Sequence, residues 1–280
     1  MNERLRRADD RLRVALVTGA CSGIGASISR QLGALGYELI LVSQRPTELA
    51  QVAGDIAACH GVRTHAIVLD LARPDAAGEL YDAVLARGLT VDILVNNAGF
   101  FFFGEVADAP LDRAAAMLQL HVVTPSLLCS RFGRDMRARR RGHILIVSSI
   151  SAWRDFPSIA YYGASKKYLR GFAASLRSEL AVYGVGVTCL APGATATALY
   201  DPRVVPVDLA RRLGVMMDPD HVAADGLRAL FAGQAECIPG RLTRAMVAGA
   251  VLTPQWVIDL LRRRSPWLPI VPPGDTPPVR

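Results

Sequence analysis

Short continuous apolar runs alternate with longer helical stretches along this chain. Val14–Val17, Leu39–Val42, Val62–Leu69, Ile93–Val95, His143–Val147 and Val185–Leu190 read as strands. Runs that are apolar on both faces belong in a buried parallel sheet, because a half-wetted strand would alternate. Between them, Gly23–Leu35, a stretch opening at Pro46, Asp75–Arg87, Leu111–Arg139 and Ile159–Tyr183 read as helices. Gly36 ends the first, since glycine takes the left-handed cap without a Cβ penalty. Pro46 can open the second, where a missing N–H costs little. Strand and helix at this cadence predict an α/β fold: one doubly wound domain, its parallel sheet covered by helices on both faces. The domain is expected over 12–265, between a basic arm at 1–11 and a proline-rich tail at 266–280. Inside it, 199–218 reads as a proline-punctuated loop able to close over a site, and 241–264 as a helical extension.

The turn between the first strand and the first helix reads Thr18-Gly19-Ala20-Cys21-Ser22-Gly23-Ile24-Gly25. Glycine lets the chain turn tightly and lets backbone approach a pyrophosphate, while the helix N-terminus supplies unpaired N–H groups. The strand before and the helix after carry this reading; glycines alone would serve a plain turn. A dinucleotide site on such a Rossmann domain often has an acid at the end of the second strand to hold the ribose hydroxyls. This chain has Ser43-Gln44-Arg45 there instead. A guanidinium suits the 2′-phosphate of NADP, so NADP(H) is expected, with NAD(H) the alternative. Asp70, followed by Leu71, ends the third strand and has two readings: an acceptor for the adenine amino group, or an ordinary turn residue.

Composition changes this picture little. Apolar residues make up 51 % of the 280 and charged residues 20 %, as in ordinary globular proteins. The net charge of +7 raises the question of an anionic partner. The arginines, however, cluster at 4–13, 137–141 and 262–264 without interleaved aromatics, so they read as solvated surface and no nucleic acid is expected. The five cysteines (Cys21, Cys59, Cys129, Cys189, Cys237) are odd in number and widely spaced. Neither a metal site nor a disulfide framework is expected, and a reducing cytoplasm suits them. No leader pattern opens the chain. The longest apolar candidate, Ala245–Ile258, contains Pro254 and falls short of the ~18 residues of a membrane span.

The chemistry lies in the second half. Tyr162 and Lys166 are four apart on a predicted helix, hence on one face. A phenol titrates near pH ~10 and is a poor base at neutrality. An adjacent ammonium favours the phenolate, and a phenol so tuned can exchange a proton with an alcohol or a forming alkoxide. Ser149, just beyond the fifth strand, can hold the substrate oxygen. Tyr161 is a decoy, because its neighbour four later is Ser165. Taken in order, TGACSGIG (18–25), NNAG (96–99), VSSIS (147–151), YGASK (162–166) and PGATAT (192–197) resemble the short-chain dehydrogenase/reductase family over about Val14 to Leu230. The resemblance implies an NAD(P)-dependent oxidoreductase interconverting CH–OH and C=O groups, with Ser149, Tyr162 and Lys166 catalytic. It assigns Asn96, Ala98 and Gly99 to the adenosine side of the cofactor. It assigns Pro192, Gly193, Thr195 and Thr197 to the nicotinamide end, where Lys166 also meets the ribose. It also implies a homodimer or homotetramer built on the two long helices. The residue types leave alternatives: Asn96-Asn97 as a backbone pin, Pro192-Gly193 as a turn.

One position departs from the family. The fourth catalytic residue there is an Asn that helps order a water leading from the lysine; His121 stands in its place here. One reading makes His121 a pH-sensitive member of that relay. The other makes it a structural histidine bonded to a backbone carbonyl. Phe100–Phe103, Trp153, Phe156, Leu199 and Tyr200 follow the cofactor motifs and favour a bulky apolar substrate of terpenoid, steroid or fatty-acyl type; core packing is their alternative role. Arg241–Arg264, with Trp256 and Trp267 nearby, has three candidate roles: pocket cap, subunit interface or peripheral membrane contact. The rival functions are a catalytically silent dinucleotide sensor or scaffold on the same fold, and an elimination enzyme such as a halohydrin dehalogenase, whose relatives lack the glycine loop and the lysine kept here.

Overall fold

A computed structural model of the chain describes residues 13–197, 216–257 and 260. Seven strands form its sheet: β1 (Val14–Thr18), β2 (Glu38–Ser43), β3 (Thr64–Val68), β4 (Val91–Asn96), β5 (Gly142–Val147), β6 (Val185–Leu190) and β7 (Glu236–Cys237). Their order is β3-β2-β1-β4-β5-β6-β7, and every pairing is parallel. The order reverses between β1 and β4. Loops leaving the two strands there diverge and open a crevice at their carboxyl ends, where ligands bind in such sheets.

The helices among the described residues include α1 (Gly23–Ala34), α2 (Pro46–His60), α3 (Ala76–Leu85), α4 (Leu111–Leu118), α5 (Thr124–Ala138), α6 (Ala160–Ala181), α7 (Pro219–Phe231) and α8 (Arg241–Leu252); α3, α5 and α6 cover one face of the sheet and α1, α2 and α7 the other. Residues such as Leu16, Ile40, Leu94 and Ile144 point to one face, against Leu80 of α3, Phe132 of α5 and Leu169 of α6. The alternate residues Val17, Leu41, Val95 and Leu145 meet Ile28 of α1, Ile56 of α2 and Leu227 of α7 on the other. The strands look apolar throughout because both their faces are core.

The departures from expectation have local causes. The predicted helix over 111–139 is interrupted by a π-helical turn, Gln119–Val123, between α4 and α5. Pro125 lacks the N–H that an α-helix would bond to residue 121, and its ring crowds that carbonyl. Widening the turn relieves both. α7 is a helix beyond the predicted ones: Asp218 caps it, accepting from the Asp220 N–H, and Pro219 fills its first turn. β7, two residues long, carries no sequence pattern. The predicted extension over 241–264 is broken at Thr253-Pro254: α8 ends at Leu252, and residues 255–257 and 260 are helical again. No helix among the described residues is long and apolar enough to cross a membrane. The predicted arm (1–11), residues 199–215 of the predicted loop with Leu199 and Tyr200, the arginines at 262–264, Trp267 and the tail lie outside the described residues.

Candidate active site

The crevice is built from glycine. Gly19 has φ +64° and Gly23 φ +53°, a region that side chains disfavour. A Cβ on Gly19 would lie 2.9 Å from the Ala98 Cα, and one on Gly25 would overlap the Gly19 carbonyl and meet the Asn97 amide at 2.5 Å. These glycines therefore leave bare backbone at the mouth of α1, the cradle a pyrophosphate needs. Gly25→Ala is expected to lower stability by about 2 kcal/mol or more; an unchanged melting curve would refute this packing.

Asn97, which the sequence suggested only as a backbone pin, holds the loop in place. Its amide donates to the carbonyls of Thr18 (3.0 Å) and Gly19 (3.3 Å). The Thr18 hydroxyl accepts from the N–H groups of Asn97 (2.9 Å) and Ala98 (3.1 Å) and donates to the Val95 carbonyl. The ends of β1 and β4 are thus fastened across the switch point. Asn96 faces the other way: it is buried, and its amide donates to Cys129 Sγ at 3.1 Å and the Pro125 carbonyl at 3.5 Å. Leu71 is buried, and its carbonyl accepts from Thr124. Asp70 accepts from the Ala72 N–H at 2.9 Å through Oδ1.

At the end of β2, Arg45 lies across the glycine loop. Its Nη2 donates to Ser22 Oγ (2.7 Å) and Cys21 Sγ (2.8 Å). Ser43 Oγ donates to Cys21 Sγ (3.0 Å) and accepts from the Arg45 N–H (3.2 Å). Glu48 stands 3.4 Å from Arg45 Nη1. One guanidinium and two hydroxyls thus gather beside the loop; Gln44 is exposed next to them. A dianionic phosphate fits that donor set.

Beyond β5 the two adjacent serines separate in role. Ser148 is buried and donates to the Lys166 carbonyl at 2.7 Å. Ser149 caps a short 3₁₀ turn, Ile150–Ala152, where its oxygen accepts from the Ser151 N–H. Its position is half-buried at the crevice. Tyr162 and Lys166 occupy successive turns of α6, as their spacing predicted, with Lys166 Nζ 5.5 Å from the Tyr162 ring centroid. The ammonium donates to the Val147 carbonyl at 3.1 Å. Burial pulls Lys166 down from 10.5 to about 8. Tyr161 packs beside Phe102, on the apolar cluster that Tyr162 also borders, and four residues on from it stands Ser165 rather than a cation.

His121, carried by the π-helical turn, is buried among these groups. Its Nε2 accepts from the Phe100 N–H at 3.1 Å, and Nδ1 lies 3.0 Å from Ser165 Oγ. Its backbone partner is therefore an amide N–H, not the carbonyl of the structural alternative. Burial, with the Lys166 charge beside it, holds His121 well below its ordinary pKa of 6.5, which favours the neutral imidazole. A Cβ on Gly99 would lie 2.7 Å from Nε2, so glycine at 99 makes room for the imidazole.

The loop after β6 closes the crevice from above. Pro192 is buried and its carbonyl accepts from the Ile150 N–H. Thr195 is buried, and its hydroxyl donates to the Gly193 carbonyl. A Cβ on Gly23 would come 2.8 Å from Thr197 Cγ2, and one on Gly193 would come 3.0 Å from Thr243 Cγ2 of α8. α8 therefore starts against this loop. The aromatic residues divide. Phe102 is buried with Met117 and Ala114, Phe100 packs on that cluster, and Trp153 lies under Arg170 at 4.0 Å. Phe101 meets the Tyr162 ring edge-on at 4.9 Å and Phe103 at 4.6 Å. Phe156 is exposed.

Comparison with known proteins adds to this geometry. The family model described as short chain dehydrogenase matches residues 13–204. The chain is 32 % identical to Dehydrogenase/reductase SDR family member 7B of Bos taurus over 236 residues, 80 % of this chain and 72 % of that protein. It is 34 % identical over 203 residues to the human Inactive hydroxysteroid dehydrogenase-like protein 1, covering 68 % of this chain and 58 % of that protein. Among solved structures, a metagenomic short-chain oxidoreductase in complex with NADP is 32 % identical, with a TM-score of 0.68 over 81 % of this chain and 97 % of that one.

Proposed function

We propose that this chain, which belongs to the short-chain dehydrogenase family, moves a hydride between NADP(H) and an alcohol/carbonyl pair. One observation carries the reading: a buried ammonium, Lys166, beside the ring of Tyr162 at the mouth of a glycine-built crevice. The dinucleotide, when bound, supplies or accepts the hydride. Tyr162 hands a proton to the carbonyl oxygen in reduction and takes it back in oxidation. Ser149 steadies that oxygen from beyond β5. Lys166, largely charged at neutral pH, favours the phenolate form of Tyr162. Ser22, Ser43 and Arg45 would hold the 2′-phosphate, and the bare backbone at Gly19, Gly23 and Gly25 the pyrophosphate.

A bulky apolar substrate is the reading for the pocket, supported by Phe101 alongside Tyr162 and by Phe103 packed on Phe101. Apolar side chains left exposed on α4, α5 and α6, among them Leu111, Leu127 and Tyr168, support a homodimer or homotetramer. A silent dinucleotide-binding protein is the second reading, favoured by the human relative that is named inactive.

Fluorescence titration with NADPH and NADH tests the proposal. NADPH should bind at least tenfold more tightly, and Arg45→Ala should weaken NADPH by about 10- to 100-fold while leaving NADH nearly unchanged, as for loss of one charge-assisted contact. Preference for NADH would refute the role of Arg45. NADPH binding with no turnover of any apolar ketone or aldehyde would favour the silent reading.

A further inference from the structure

We infer that His121 is a positioning residue: as a neutral imidazole protonated on Nδ1, it ties the loop after β4 to the turn of α6 that carries Tyr162, and it carries no proton during turnover. The inference rests on the proposed role of Tyr162.

The hydrogen bonds allow one tautomer. Ser165 has a single hydroxyl proton, and it goes to the Tyr162 carbonyl at 2.8 Å, because a carbonyl can only accept. Nδ1, 3.0 Å from Ser165 Oγ, must then be the donor of that pair. The Phe100 N–H can only donate, so Nε2 must be bare. A second proton would set N–H against N–H at Phe100 and add a charge beside Lys166. Lys166 and Tyr162, both on α6, are the titratable groups shown facing the ring.

The bridge reaches Tyr162 from two directions. Through Ser165 it grips the Tyr162 carbonyl. Through Phe100 it fixes the start of the segment whose next residue, Phe101, stands edge-on to the Tyr162 ring. The imidazole itself is 5.8 Å from that ring, at 73°. Tyr162 is thus held between His121, Phe101 and Lys166. Misplacement by about 1 Å is enough to cost a large part of catalysis.

Glutamine separates positioning from proton transfer, because its amide offers one acceptor and one donor but does not titrate. His121→Gln should keep kcat within about fivefold of the parent with an unchanged pH–rate profile. His121→Leu should lose about 30-fold or more in kcat, with NADPH affinity within about twofold. Ser165→Ala added to His121→Leu should cost little more, since both remove the same bridge. If His121→Gln is as slow as His121→Leu while both bind NADPH normally, or if His121→Leu is fully active, the inference is overturned. A readout free of turnover uses the parent protein: nitrogen-15 NMR should show a neutral His121 with its proton on Nδ1 from pH 5.5 to 8. A proton on Nε2, or titration within that range, overturns the bridge even if the protein turns over no carbonyl. A normal tautomer with no NADPH binding would instead count against the function alone.

Discussion

Tyr162→Phe is expected to lower kcat by about 10²- to 10⁴-fold, the usual worth of a positioned acid or base, while leaving NADPH affinity within about twofold. The change removes one oxygen and keeps the ring. Phe101 at 4.9 Å, His121 at 5.8 Å and Lys166 Nζ at 5.5 Å all contact the ring, so its packing should survive. Stability should move by little. The loss should fall on kcat and kcat/KM together, because the phenol acts on an oxygen whose charge changes only in the transition state. Tyr161→Phe is the control. Tyr161, one position earlier in sequence, borders the same apolar cluster, but its ring lies against Phe102 while the Lys166 ammonium stands at the Tyr162 ring, and its variant should keep near-parent turnover. If Tyr162→Phe remains fully active on an apolar ketone, the phenol is not the proton donor and the proposed mechanism is lost.

That pair of tyrosines shows where sequence was sufficient. Tyr162 and Lys166 are related by helical period alone, so their meeting could be read from spacing of four. The glycine loop was legible for the same reason: it lies between one strand and the helix that follows. Arg45 was legible because the end of the second strand is a fixed place in a doubly wound sheet.

The backbone-pin reading of Asn96-Asn97 leaves open which residue pins and what it holds, and the answer depends on long-range neighbours. Asn97 fastens Thr18 and Gly19 across 79 and 78 residues, and only the reversal of strand order between β1 and β4 brings them together. Successive residues face opposite ways here: the Asn96 side chain meets Pro125 and Cys129 of α5, while that of Asn97 meets the glycine loop. His121 was recognised by position, but its partners lie 21 and 44 residues away, and its ring enters through the π-helical turn. Pro125, in plain view, was the signal for that turn.

Lys166→Met is expected to abolish measurable turnover and yet raise the melting temperature at pH 7. The ordinary lysine pKa is 10.5 and burial brings Lys166 to about 8. Below pH 8 both the folded and the unfolded chain hold the proton, and the cost of burying the charge is present in full. Between pH 8 and 10.5 the unfolded chain binds the extra proton, so the penalty fades and stability rises with pH. A shift of this size corresponds to about 3 kcal/mol at pH 7. Methionine cannot donate to the Val147 carbonyl, which returns about 1 kcal/mol. The net gain of about 2 kcal/mol corresponds to about 4–8 °C for a domain of this length. The gain should shrink when the melts are repeated at pH 10, where the parent lysine is already neutral in the folded state. A melting temperature that falls at pH 7 would mean that the ammonium stabilises the fold, and its placement would need no functional explanation. A rise means that folding alone would reject a charge here, so that its placement belongs to the chemistry of the site, to the phenol of Tyr162 and the ribose that the family resemblance gives to Lys166.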